Sequence, residues 1–272
     1  MRWPAEAVWE QVAPLLPGFT VEVLPEVDST NTELMRRARA GRIEPVLLVA
    51  ERQSAGRGRL GRQWQSGDRD ALTFSLGLPL APTDWSGLSL AVGAVIAESL
   101  HPEIRLKWPN DLWVGGLAPG LSRRLALKWP NDLLLDERKL AGILIETAAV
   151  ADPGAARYTI VGVGINVATP AGDGYSTPPI GLRELLPEAG PGEALLRIAE
   201  PLVATLQAFE QFGFGPFRAR FAARDLLADR PVRLSDGTEG TAHGVDERGA
   251  LLVHTAAGMK AVASAEVSVR PA

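Results

Sequence analysis

A chain of 272 residues with a formal net charge of -4 at pH 7 can bury a sizeable core without disulfides, as one large domain or as a main domain with a small one. It has no cysteine, which excludes thiolate nucleophiles, thiolate metal sites and redox pairs, and its three separated histidines give little support for a zinc site or a Ser/His triad. The acidic balance argues against nucleic acid as the main partner, and the N-terminal residues have neither a signal-peptide core nor a spanning length, so we expect a cytoplasmic protein without a membrane partner.

The first part of the chain interleaves helix-like and strand-like segments, which is typical of α and β elements packed in layers. In chain order the patterns predict a capped helix, a strand, a loop, a strand and a nearly buried helix: 28–41, 46–50, 51–70, 71–78 and 86–100. The side chain of Ser29 or Thr30 can cap the first helix. The order predicts a mixed α/β fold.

The second part begins with two apolar runs, 142–147 and 157–165, which predict neighbouring strands joined by a turn at Pro153 and Gly154. A Pro/Gly-rich loop is predicted over 168–193, followed by a helix over 193–212. Pro201 inside that helix should kink it or mark its true start.

From Asp229 the chain changes to short alternating segments separated by DG, ERG and AAG, which is the pattern of a small antiparallel barrel. We therefore divide the chain into a main domain at 1–228 and a small β domain at 229–272.

Residues 56–62, GRGRLGR, follow directly on a predicted strand. Alternate glycines let backbone N–H groups approach an anion, and arginine guanidinium groups fit carboxylate and phosphate oxygens. An arginine- and glycine-rich tract of this kind also occurs in RNA-binding segments. In a well-patterned acidic protein, one short stretch favours a small anionic ligand.

The string LKWPNDL occurs twice, with its lysine at Lys107 and again at Lys128. A lysine at a strand end followed by an Asn-Asp pair could hold phosphates and a magnesium ion. A proline-fixed Asx turn explains the same residues without a ligand. Farther along, Lys139 precedes a strand that starts at Gly142, where a lysine can also be an ordinary solvated turn residue. The string GVGIN at 162–166 ends a strand with two glycines and an amide, a pattern typical of close approach by a ligand or another backbone.

Together, VDSTN, GRGRLGR with Trp64, KWPNDL, KLAGILIE and GVGIN resemble the biotin protein ligase family, from about Val27 to Arg270. The resemblance implies a catalytic domain of the class II synthetase and lipoate ligase type, with a mixed sheet and flanking helices, followed by a small SH3-like domain. It implies adenylation of biotin to biotinyl-5'-AMP with ATP and Mg²⁺, and transfer of biotin to a lysine of a biotin carboxyl carrier protein.

The same resemblance implies roles for individual residues. Those of the biotin pocket are Ser29, Thr30, Gln53, Gly56, Arg57, Lys139, Gly142 and Gly164. Those of the ATP and adenylate side are Arg59, Arg62, Trp64, Lys128, Asn131 and Asn166. The catalytic set comprises Lys139, Arg59 and Lys128, Asp132 is the expected magnesium ligand, and Glu266 and Arg270 are candidates on the ATP side.

Two other readings of the sequence remain open. A lipoate-type ligase would share the architecture and the adenylate chemistry, and a biotin-responsive repressor would add a DNA-reading domain. Only about 26 residues precede VDSTN, so we expect a monofunctional enzyme. We expect a monomer or a homodimer. We predict that the downstream copy, with Lys128, Asn131 and Asp132, is the catalytic one, because it keeps the short spacing to Lys139. The upstream copy stays the alternative, because it keeps the family-like distance from the helix that ends near Leu100.

Overall fold

The computed structural model describes residues 2–58, 64, 70–101, 104–107, 111–114, 125–128, 132–135, 138–149, 156–171, 179–225, 227–263 and 269–271. The description is of the backbone alone at 104–107, 111–114, 125–128, 132–135 and 269–271, and at Arg138 and Lys139.

A seven-stranded mixed sheet forms the centre of the molecule. Its strands are β1 Thr20–Val27, β2 Val46–Gln53, β3 Ala71–Leu80, β6 Leu125–Lys128, β7 Asp132–Leu135, β8 Arg138–Ala149 and β9 Arg157–Asn166. Their order across the sheet is β1-β2-β3-β9-β8-β7-β6. Only the β1–β2 pair is parallel among these described strands. Two further strands, β4 Ile104–Lys107 and β5 Asp111–Val114, form a separate antiparallel hairpin.

The predicted strands at 46–50, 71–78, 142–147 and 157–165 are confirmed, and the last two pair directly with each other. The predicted loop at 51–70 begins later than expected, because β2 runs on to Gln53 in parallel pairing with β1. The predicted turn at Pro153 and Gly154 lies outside the described residues.

Within the described residues, five helices pack on this framework: α1 Ala5–Val12, α2 Thr30–Arg39, α3 Leu88–Leu100, α4 Pro191–Phe212 and α5 Gly215–Ala222. The predicted helices at 28–41 and 86–100 are confirmed, and Ser29 is the N-cap of α2, where its side chain accepts a hydrogen bond from Thr32 N. No helix within these described residues is long and apolar enough to cross a membrane.

The start of α4 corrects one expectation. The helix begins at Pro191, so Pro201 lies in its interior and does not mark its start. Proline is well suited to the first helical position, where its missing N–H costs no internal hydrogen bond. The predicted loop at 168–193 therefore ends earlier, and it also contains a short 3₁₀ helix at Leu182–Glu184.

The sheet has two different faces, because alternate residues of a strand point to opposite sides. One face joins α1, α3 and α4 in a large apolar core that includes Leu72, Phe74 and Leu76. The other face is covered by α2, where a smaller apolar cluster includes Leu34 and Leu48. Ser29 and Thr30, which are predicted to bind biotin, lie at the start of this helix.

A second, five-stranded antiparallel sheet follows, as the alternating pattern predicts. Its strands are β10 Pro231–Leu234, β11 Glu239–Val245, β12 Leu251–Thr255, β13 Gly258–Val262 and β14 Val269–Pro271, in the order β13-β12-β11-β10-β14. It packs against the main domain, where Arg248 Nε lies 2.9 Å from Asp84 Oδ2 and Arg218 Nε donates to Val245 O at 3.2 Å. The domain boundary at 228/229 stays a prediction.

Candidate active site

One cross-strand row brings together several of the residues singled out in the sequence. Asp132 on β7 pairs with Gly142 on β8, Gly142 pairs with Gly164 on β9, and Gly164 pairs with Thr73 on β3. Lys128 on β6 pairs in turn with Asp132. Four predicted site residues, from motifs far apart in the sequence, are thus direct neighbours across the sheet.

Trp64 packs on the middle of this row. A Cβ atom built on Gly164 would lie 2.5 Å from Trp64 Cε2, so any larger residue would displace the indole ring. The backbone of Trp64 is fixed as well, because Trp64 N donates to Gly56 O at 2.8 Å. The sequence GVG therefore provides a flat strip of backbone against which an aromatic ring can lie.

The first turn of α2 lies at the same end of the sheet. Ser29 and Thr30 are both buried, and the side chain of Gln53 joins them to β2. Gln53 Oε1 accepts hydrogen bonds from Thr30 N at 2.8 Å and from Thr30 Oγ1 at 3.2 Å. Gln53 thereby satisfies a free N–H of the helix start, which fixes three predicted biotin residues relative to one another.

Asp28 contributes negative charge just before this helix start. Burial opposes ionisation of its carboxyl, but the hydrogen bonds from Arg36 and from Ser29 N outweigh burial and lower the pKa of Asp28. Asp28 is therefore an ionised carboxylate at neutral pH, at the positive end of the α2 dipole.

A chain of polar contacts continues from Thr30 into the sheet. Ser75 Oγ lies 2.7 Å from Thr30 Oγ1 and 2.6 Å from Asn31 Oδ1. Asn31 Nδ2 donates to Leu144 O at 3.2 Å and to Glu146 Oε2 at 3.0 Å. Two elements that are remote in sequence, α2 and β8, are thereby joined through buried polar groups.

Arg57 closes this chain of contacts from the loop side. Its NH2 group donates to Glu146 Oε1 at 3.2 Å, and its NH1 group lies 3.4 Å from Thr32 Oγ1. The arginine side chain is half exposed, whereas Glu146 is 21% exposed. A guanidinium is therefore held at the mouth of the site by a more buried carboxylate.

For the remaining predicted site residues, the structure gives a position on a strand or no description. Asn166 is buried at the end of β9, paired with Ala71, and Lys139 lies on β8 three positions before Gly142. Arg270 lies on β14, paired with Arg233 in the C-terminal sheet. Arg59, Arg62, Asn131 and Glu266 lie outside the described residues.

The sequence analysis did not single out Asn31, Ser75 or Glu146. Signals for them were present: Ser75 belongs to the alternating run TFSLG, in which polar or small residues alternate with apolar ones, and Asn31 belongs to VDSTN. Nothing in the sequence showed that Glu146, at the end of KLAGILIE, would meet both Asn31 and Arg57.

The two copies of LKWPNDL form hairpins with the same internal pairing, Lys107 with Asp111 and Lys128 with Asp132. Their surroundings differ. The downstream hairpin joins the main sheet through β7 and β8, whereas the upstream hairpin is a two-stranded sheet of its own that contacts α3 and the downstream hairpin.

Comparison with known proteins places the chain in a class. The sequence profile of the Biotin/lipoate A/B protein ligase family matches residues 23–166, which include the α2 start, Arg57 and the glycine row. A second profile, the Biotin protein ligase C terminal domain, matches residues 229–270. The fold and the sequence both define a ligase of the biotin and lipoate class.

Individual relatives narrow that class. The chain is 35% identical over 283 residues to the bifunctional ligase/repressor BirA of Escherichia coli K12, covering 97% of this chain and 78% of that protein. It is 33% identical to the biotin–[acetyl-CoA-carboxylase] ligase of Paracoccus denitrificans, covering 90% and 98% of the two chains. The structure of the Aquifex aeolicus biotin protein ligase with biotin and ATP is similar, with a TM-score of 0.71 and 29% identity, covering 93% of this chain and 99% of that one. The chain belongs to the biotin protein ligase family and is a ligase.

Proposed function

We propose that this protein joins biotin to AMP and then transfers the biotinyl group to a lysine of a biotin carboxyl carrier protein. In the first step a carboxylate oxygen of biotin attacks the α-phosphorus of ATP, and the bond to pyrophosphate breaks. In the second step the lysine amine attacks the acyl carbon, the bond to AMP breaks, and the amine loses a proton. No protein nucleophile is needed for either step.

The observation that carries the proposal is the convergence of three motifs at one end of the main sheet. The α2 start, Arg57 and the row of Gly142 and Gly164 come from separate parts of the chain. Hydrogen bonds of Asn31 and Glu146 connect the α2 start with Arg57, and Glu146 lies on β8, the strand that contains Gly142 and pairs with β9 at Gly164. The relative solved with biotin and ATP has the same fold over almost its whole length.

The proposed chemistry explains why the site contains cationic side chains. A carboxylate and a triphosphate repel each other, so their approach requires cations held at short range where little water is present. We assign Arg57 to binding the biotin carboxylate, and Arg59 and Lys139 to offsetting the charge as the carboxylate meets the α-phosphate. Lys139 lies near the glycine row on β8, where it can act between the biotin carboxylate and the α-phosphate.

We assign the rest of the site by position. Ser29, Thr30, Gln53 and Gly56 form part of the biotin pocket, and Trp64, Arg62 and Asn166 serve the nucleotide. The ring of Trp64 over Gly164 offers a flat apolar surface of the kind that stacks on a base. At Gly142 the missing side chain allows the ligand to come close to the sheet, and at Gly164 it leaves the space in which the indole of Trp64 lies.

We assign the catalytic copy of LKWPNDL to the downstream one. Its hairpin is continuous with the main sheet, and Asp132 is the direct neighbour of Gly142 in the same row as Gly164. The upstream hairpin has no strand pairing to the main sheet among the described residues. The downstream copy is thus the one beside the proposed ligand.

Magnesium fits this site as an ion held mainly by the substrate. The described side chains contain no cluster of three or more acidic or histidine residues that could hold a metal. Mg²⁺ in phosphate-binding sites commonly uses one or two carboxylates together with substrate phosphates. We assign Asp132 as the protein ligand, with the ion offsetting phosphate charge during adenylation.

Biotin-dependent exchange of labelled pyrophosphate into ATP tests the first step directly. We expect exchange with biotin and none without it, and the mass of biotinyl-5'-AMP should be detectable in the reaction. Formation of lipoyl-AMP instead would assign the protein to the lipoate branch. Absence of exchange with either acid would refute the proposal.

The carrier step and the cellular setting need separate experiments. Biotin should move from the adenylate to a purified biotin carboxyl carrier protein domain, but not to a variant without its target lysine. Because ATP and carboxylase carriers are the partners, we place the protein in the cytoplasm. A gel-shift experiment with biotin and ATP present would detect a repressor function.

A further inference from the structure

Glu146 connects the two halves of the proposed biotin pocket. Each oxygen of its carboxylate accepts from a different partner: Oε1 from Arg57 NH2 at 3.2 Å and Oε2 from Asn31 Nδ2 at 3.0 Å. We propose that Glu146 is a positioning residue that holds Arg57 for biotin binding without itself touching the substrate. This inference rests on the proposed function, because it takes Arg57 as a residue of the biotin pocket.

On the side away from Arg57, Glu146 is bound by the side-chain amide of Asn31. Both hydrogens of Asn31 Nδ2 are donated, one to Glu146 and one to Leu144 O, and Asn31 Oδ1 accepts from Ser75. Asn31 is 3% exposed. Its amide orientation is thus fixed by its partners, and it cannot turn away without leaving buried polar groups unsatisfied.

Gly162 makes this arrangement possible. A Cβ atom at that position would lie 2.0 Å from Asn31 Oδ1, which is closer than any non-bonded contact allows. The glycine lets Asn31 reach across β9 to the main chain and carboxylate of β8. Arg57 is therefore attached, through Glu146 and Asn31, to the rigid centre of the sheet.

The same contacts extend to the other wall of the pocket. An amide oxygen can only accept, so the hydrogen of Ser75 goes to Asn31, and the Thr30 hydroxyl is left to donate to Ser75 or Gln53. Glu146 thus positions Arg57 directly and stabilises the Thr30 side through Asn31 and Ser75. All of these groups lie at the predicted biotin pocket, so their loss should weaken biotin binding more than the chemical step.

Glu146→Gln is the sharpest test, because glutamine has one acceptor oxygen where two donors approach. Either Arg57 or Asn31 then faces an amide NH₂ group. In biotin-dependent pyrophosphate exchange we expect KM for biotin to rise about tenfold, with kcat within about twofold of wild type. Glu146→Asp keeps both oxygens and should recover part of the loss.

Glu193→Gln is the matched control. Glu193 lies on the surface of α4 and pairs with Arg197 at 2.5 Å, so the substitution removes the same charge from an ion pair away from the site. It should leave KM unchanged. The double variant Arg57→Gln/Glu146→Gln should bind biotin only slightly more weakly than Arg57→Gln alone, because Glu146 acts mainly through Arg57 and the small remaining loss comes from the route through Asn31.

Trypsin cleavage after Arg57 provides a readout that needs no biotin. The fragment beginning at Gly58 should appear several-fold faster from Glu146→Gln than from wild type or Glu193→Gln, because the guanidinium must leave Glu146 to enter the protease. Unchanged KM, or unchanged cleavage, would overturn the proposal. A lower melting temperature and lower kcat with unchanged KM would show a structural role, and also overturn it. Faster cleavage in a protein that shows no biotin-dependent exchange would refute the biotin function while retaining the Glu146–Arg57 contact.

Discussion

The two faces of the main sheet are made from alternate residues of the same strands, yet they have different tasks. Toward α3 and α4, the central parts of β3 and β9 contribute large apolar side chains: Leu72, Phe74, Leu76, Val161, Val163 and Ile165. Toward α2, the intervening residues are polar or lack a side chain: Thr73, Ser75, Gly162 and Gly164. One face buries apolar area, and the other admits Asn31 and Trp64 to the backbone.

This difference shows how one sheet can support both stability and a binding site. The large core stabilises the strands from one side, so the other side can contain glycines and buried polar groups that stabilise the fold less. Substitutions on the two faces should therefore separate into those that lower the free energy of unfolding and those that lower activity.

Phe74 and Ser75 are adjacent residues on opposite faces and give the largest expected contrast. Phe74→Ala removes a fully buried ring and should cost about 4 kcal/mol of unfolding free energy. Ser75→Ala should cost about 1–2 kcal/mol and raise KM for biotin, because Asn31 Oδ1 loses its donor. Urea unfolding and pyrophosphate exchange measure the two quantities. A Phe74→Ala protein with weakened biotin binding but unchanged stability would contradict the division between the faces.

Lys139→Ala should lower biotinyl-AMP formation by about 100-fold or more, because a cation that stabilises developing charge acts mainly in the transition state. The free energy of unfolding should change little. Quenched-flow measurement of biotinyl-AMP, beside a urea unfolding curve, separates the two effects. Lys260→Ala, which removes a surface lysine paired with Asp236, is the control. Near-wild-type adenylation by Lys139→Ala would remove the residue from the site.

The two LKWPNDL copies provide a comparison of identical sequences in different places. Lys128→Ala should reduce adenylation by about 30-fold, whereas Lys107→Ala should leave it near wild type, because among the described residues only the downstream hairpin pairs with the strand that contains Gly142. Both variants should be shown by circular dichroism to fold. The opposite result would assign the upstream copy to the active site.

Asp225 lies away from both faces, between α5 and the C-terminal sheet, and should give the smallest effect. Burial raises the pKa of its carboxyl from 3.8 to about 6. One oxygen accepts from Leu227 N at 2.9 Å, and Oδ2 is buried without a hydrogen-bond partner among the described residues. The folded protein therefore holds this proton more tightly than the unfolded chain, so the contribution of this carboxyl to stability is greatest at low pH and falls as pH rises from about 4 to about 6.

Asp225→Asn should remove the loss of stability that ionisation of this carboxyl causes. The stability of the variant relative to wild type should increase by about 1 kcal/mol between pH 5 and pH 8, as measured by urea unfolding at each pH. Glu193→Gln should show no comparable change. A constant difference between Asp225→Asn and wild type across this range would mean that the carboxyl titrates normally.

Much of the fold could be predicted because the local patterns were strong. The alternation in TFSLG, the helix cap at Ser29 and the short segments after Asp229 each specify an element through neighbouring residues. The start of α4 was missed because Pro191 and Pro201 are both compatible with a first turn, and only packing of the intervening residues on the core extends the helix to Pro191.

The sequence by itself determined the motifs of the family and the chemical types of the candidate residues. Only the tertiary structure decided which residues meet at the site: Glu146 contacts Asn31, 115 positions away in the sequence, and Arg57, 89 positions away. It also distinguished two identical heptapeptides, because strand pairing, and not local sequence, attaches one of them to the main sheet. Such contacts depend on the register between distant strands, which is set by the whole buried core and cannot be deduced from a single segment.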